Sequence, residues 1–183
     1  MMGWTFDERL REVPGDRGEL EREVDRLADE IATARSQPAQ LLAMLQSAAP
    51  LILMAGRIDE ARRTASAAIA IAELLEDGHA VFVSQLQLAK VLRWEGRFDL
   101  ATPLFDRLIA QARSVAAFAP HLYQALFEAG ANLFEQGRYL EAARFFREAQ
   151  ALRRLDGPTA DMRAVAEALR LTTERSREAS QSS

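Results

Sequence analysis

The chain has no cysteine among its 183 residues, and only two histidines and a single lysine, Lys90. Without cysteine, disulfides and thiolate metal sites are excluded, so stability has to come from buried apolar surface. No apolar run approaches the roughly 20 residues that cross a bilayer. The longest, Ala48-Ala49-Pro50-Leu51-Ile52-Leu53-Met54-Ala55, carries a proline and reads as a core helix. A basic n-region followed by an apolar stretch is also missing from the N-terminus, which predicts a cytoplasmic protein. Nor is there an excess of charge of one sign. The 23 basic and 27 acidic residues leave a net charge of −4, too weak a field to concentrate nucleic acid or an anionic membrane, so neither is expected as a partner. Residues 1–36 hold ten acids against six arginines and account for that imbalance. Arginine supplies 22 of the 23 basic residues, a bias expected of a GC-rich bacterial genome. Nucleophile elbows, phosphate-cradling glycine loops and cysteine nucleophiles are absent, so no enzyme and no cofactor are expected.

An internal repeat is present. Ala55-Gly56-Arg57, Glu95-Gly96-Arg97 and Gln136-Gly137-Arg138 recur at spacings of 40 and 41 residues. Two residues after each glycine stands a bulky apolar residue (Ile58, Phe98, Tyr139), and five after it an alanine (Ala61, Ala101, Ala142). Four before it come Ile52, Leu92 and Leu133, and seven before it Ala49, Ala89 and Gly130. Glycine takes the left-handed conformation that ends a helix at little steric cost, so each unit reads as two antiparallel helices joined at that glycine. The small residues allow close approach, and the large ones form the apolar stripe each helix must bury.

This spacing predicts helices over about 38–55 and 58–76, 79–95 and 98–116, and 120–136 and 139–155. Turns between units are signposted by Asp77-Gly78, Ala119-Pro120 and Asp156-Gly157-Pro158. Pro50 predicts a kink in the first helix or a later start near Ala49. Thr159 reads as the cap of a further helix with Met162, Val165, Ala166 and Leu169 on one face, and Glu178 to Ser183 as a disordered tail. At the front, Asp16 and Glu19 make a capping signal for a helix to about Ala34, with Leu20, Val24, Leu27 and Ile31 as its stripe. Trp4, Phe6, Leu10 and Val13 are expected in a short anchoring helix that stops at Pro14-Gly15. The layout is an acidic helical segment (1–36), three repeats (37–157, as about 38–77, 78–117 and 119–157), a capping helix (158–177) and the tail.

The pattern resembles the tetratricopeptide repeat. Leu126, Gly130, Leu133, Gly137, Tyr139, Ala142, Phe146 and Ala149 fill its signature positions in the third unit, and Ala89, Leu92, Gly96, Phe98, Ala101 and Phe105 in the second. The first unit departs at Ala65, where the others have Phe105 and Phe146. The resemblance covers about residues 38–157, with repeats longer than the family's usual 34 residues. It implies an all-α, right-handed α-solenoid of three helix pairs with capping helices at both ends. It also implies binding along a concave groove lined by the first helix of each pair.

In that geometry the groove residues are Gln46; Val83, Leu86, Gln87, Lys90, Arg93 and Trp94; and Gln124, Phe127, Glu128 and Phe134. The carboxylate clamp of some family members is missing, since Gln46, Pro50, Gln87, Gln124 and Glu128 hold its positions. The large apolar residues point instead to an amphipathic helix or extended peptide. Alternatively, the chain's own N-terminal helix or a second copy fills the groove. His79 and His121 read as helix-start polar residues, and Arg57, Arg97 and Arg138 as a solvated edge. The expected function is a non-catalytic protein- or peptide-binding adaptor. A ligand- or peptide-sensing regulatory subunit of a transcription or enzyme complex is one alternative, and a self-assembling structural protein, hence a homo-oligomer, another.

Overall fold

The computed structural model describes residues 4–153 and 160–181, without the side chains at 35, 153, 160–163 and 180. The chain divides into two compact units. One takes residues up to Asp7 together with Arg11–Arg97, the other Glu8–Leu10 together with Phe98 onward.

The first unit opens on a β-hairpin, not on the expected anchoring helix. Strand β1 (Trp4–Phe6) pairs antiparallel with β2 (Glu12–Pro14), Trp4 opposite Pro14 and Phe6 opposite Glu12. The Asp7 N–H donates to the Arg11 carbonyl at 2.9 Å, and the Arg11 N–H to Asp7 Oδ1 at 2.8 Å. Trp4 and Phe6 stack edge-to-face at 5.0 Å, a pairing that alternate residues of one strand face permit and a helical spacing does not.

Four helices follow: α1 (Arg17–Thr33), α2 (Pro38–Met54), α3 (Ile58–Leu74) and α4 (Gly78–Trp94). Asp16 Oδ1 accepts from the Glu19 N–H at 2.9 Å, which satisfies a free donor at the start of α1. The α1 stripe Leu20, Val24 and Leu27 packs with Ile52, Leu53, Val91 and Trp94. In α3, Ala61, Ala65, Ala68 and Ala72 are fully buried. Ala65 therefore extends a row of small residues along which neighbouring helices approach closely.

The second unit contains α5 (Phe98–Ser114), α6 (Leu122–Glu135), α7 (Tyr139–Arg153) and α8 (Ala160–Gln181). Helices adjacent in sequence pack against one another within each unit. Phe105, Leu108, Leu126, Phe146 and Val165 are buried in the second. Helix α8 runs through Glu178 to Gln181, part of the stretch expected as a tail. The expected turn at Asp156-Gly157-Pro158, the Thr159 cap and the Met162 side chain lie outside the described residues.

Gly56, Gly96 and Gly137 hold φ of 80°, 75° and 74°. The next N–H in each case reaches back to Ile52, Leu92 or Leu133 at 3.1, 2.9 and 3.0 Å, closing the helix end. The turn into α4 uses the same geometry with a different residue. Glu76, at φ 54°, takes the left-handed position, Asp77 caps α4 by accepting from the Ala80 N–H at 2.9 Å, and Gly78 is the first helical residue. A side chain in that conformation costs about 1–2 kcal/mol. Glu76→Gly is accordingly expected to raise stability by about 1 kcal/mol, read from the denaturant midpoint.

Candidate functional site

The first unit places the α2 and α4 residues of the expected groove side by side. Helix α2 runs from Pro38 through Pro50 to Met54, so it begins at Pro38 and not near Ala49. Proline lacks the N–H that would bond the carbonyl four residues back, which is that of Gln46. Gln87 of α4 supplies the replacement, its Nε2 donating to the Gln46 carbonyl at 2.7 Å. The Gln46 side chain returns the contact, its Nε2 donating to the Ala80 carbonyl and to Ser84 Oγ, both at 3.0 Å. Gln46 and Gln87 thus lock two first helices together around a proline. Gln87→Ala strands a part-buried carbonyl, at an expected cost of about 1–3 kcal/mol. In a Pro50→Ala background the helix supplies its own donor, and a double-mutant cycle on stability should show most of that cost disappear.

One turn further along α4, the side chains at i, i+3 and i+4 are Lys90, Arg93 and Trp94, respectively 7%, 1% and 8% exposed. The N-terminal hairpin lies on this face. Glu12 of β2 forms an ion pair with Lys90, the one lysine of the chain. The Arg11 guanidinium sits over the Trp94 ring, 5.3 Å from its centroid, a cation–π contact worth roughly 0.5–2 kcal/mol. Strand β2 also packs against α2. Beside the hairpin remains an open cleft of about 380 Å³, lined among others by Arg11, Pro14, Arg17, Met54, Ile58 and Trp94. The Trp94 Nε1–H is buried with no hydrogen-bond acceptor. Arg11 and Glu12 escaped the sequence reading, which assigned that stretch to a helix. The β-forming Thr5, Phe6 and Val13 before Pro14-Gly15 were the available signal.

Leu86 is buried in α4 and Val83 half-buried. In the second unit, α6 is buried without interruption from Ala125 to Phe134, and Gln124 is exposed just before. Phe127 packs on Phe146 at 5.6 Å, Phe134 meets Tyr139 edge-to-face at 5.3 Å, and Glu128 is 3% exposed. Those rings serve the α6–α7 pair. The arginines at the glycine turns make solvated ion pairs: Arg57 with Glu60 at 2.7 Å, Arg97 with Glu95 at 3.7 Å, Arg138 with Glu141 at 2.7 Å. The hydrogen bond from Arg138 holds the Glu141 carboxyl below the usual carboxylate range. His79 lies in the first turn of α4 and His121 just ahead of α6. Among the described residues no group of three His, Asp or Glu side chains could hold a metal, and no helix is long and apolar enough to cross a membrane.

No curated protein matches the chain. Two solved structures share its fold, both of nearly identical TPR-like repeats from a Podosopora anserina protein of kinesin light chain type. One, a single-substitution variant, superposes with a TM-score of 0.65 and the other with 0.62. Both are 17% identical and cover 90% of this chain and 82% of theirs. The tetratricopeptide repeat model matches residues 80–155, the stretch that holds the second and third glycine turns. Family match, repeat spacing and paired helices agree over that stretch, and residues 80–155 are tetratricopeptide repeats.

Proposed function

We propose that the chain is a non-catalytic protein-binding module and that the α2–α4 face of its first unit is the surface that holds polypeptide. Tetratricopeptide repeats are in general protein-interaction modules, which sets the class. The observation that carries the site is that a polypeptide already lies there. Strand β2 rests on α2 and α4, with its carboxylate on Lys90 and the adjoining guanidinium on Trp94. A partner segment uses the same groups, Lys90 and Trp94 with Leu86 and Arg93 beside them, and enters from the cleft by Met54 and Ile58. Aromatic burial supplies affinity and the buried cation supplies selectivity.

Selection of 12-residue display peptides on the full-length chain tests this reading. Selected peptides should lose about tenfold or more in affinity on Lys90→Gln, about 1.4 kcal/mol, and nothing on Arg144→Gln of α7. Binding indifferent to Lys90 would place the surface elsewhere.

A further inference from the structure

No further inference is drawn: the strongest candidate, the cleft beside the N-terminal hairpin at Met54 and Ile58, belongs to the surface already described, and nothing in the structure shows what would fill it.

Discussion

Phe146→Ala should lower stability by about 3–5 kcal/mol, the range for an aromatic removed from a core that cannot collapse around the gap. Phe146 is fully buried on α7 and lies against Phe127 and the bare backbone of Gly130 on α6. A Cβ added at Gly130 would stand 2.7, 2.9 and 3.0 Å from three Phe146 ring atoms, closer than carbons approach. Gly130→Ala in the native background should cost about 1–3 kcal/mol of overpacking, only partly offset by roughly 1 kcal/mol of helix propensity. With Phe146→Ala already in place the ring is gone, and the same glycine change should become neutral or stabilising. That reversal, measured by urea unfolding, reports the α6–α7 contact itself. Simple additivity of the two changes would show that ring and glycine do not meet.

Leu10→Ala should cost about 2–5 kcal/mol, the range for a large aliphatic side chain removed from a buried site. Leu10 is 1% exposed. Its left-handed φ of 59° adds a signature that burial alone does not give. In ordinary backbone a glycine is worse than alanine by roughly 0.5–1 kcal/mol, whereas here glycine escapes a strain of about 1–2 kcal/mol that alanine keeps. Leu10→Gly is therefore expected to be at least as stable as Leu10→Ala, and amide exchange over the hairpin should follow the same order. Glycine clearly worse than alanine would mean that the hairpin turn has another backbone geometry.

The helical repeat was legible because its punctuation is local. A helix that turns back within three residues needs a left-handed position, and Gly56, Gly96 and Gly137 occupy it at regular intervals. The helices predicted within the repeats begin, and among the described residues end, within about two residues of those found. The turn expected at Asp77-Gly78 is present between α3 and α4, with the left-handed position at Glu76 and the Asp77 N–H bonded to the Ala72 carbonyl. At Pro50 the alternative of a later helix start near Ala49 fails, since α2 begins at Pro38. A proline's missing donor can be supplied from another helix, and Gln87 is 41 residues away from the carbonyl it serves.

The candidate site divides along the same line. Counting back from the glycines puts Lys90, Arg93 and Trp94 on one face of α4, because helical periodicity requires it. What lies on that face depends on Glu12, 78 residues from Lys90, and no local pattern connects the two. The hairpin itself was obscured because Trp4, Phe6, Leu10 and Val13 can be strung on a helix as readily as on short strands. Only the pairing of Phe6 with Glu12 and the left-handed Leu10 separate the two readings.

Lys90 is the chain's one lysine, so amine acylation followed by mass spectrometry reports its burial without ambiguity. A hairpin seated on α4 predicts that Lys90 of the native chain reacts at least about tenfold more slowly than in Glu12→Gln, each rate normalised to the unfolded chain. Equal rates in the two chains would mean that Glu12 does not cover Lys90, and the occupied binding face would have to be abandoned.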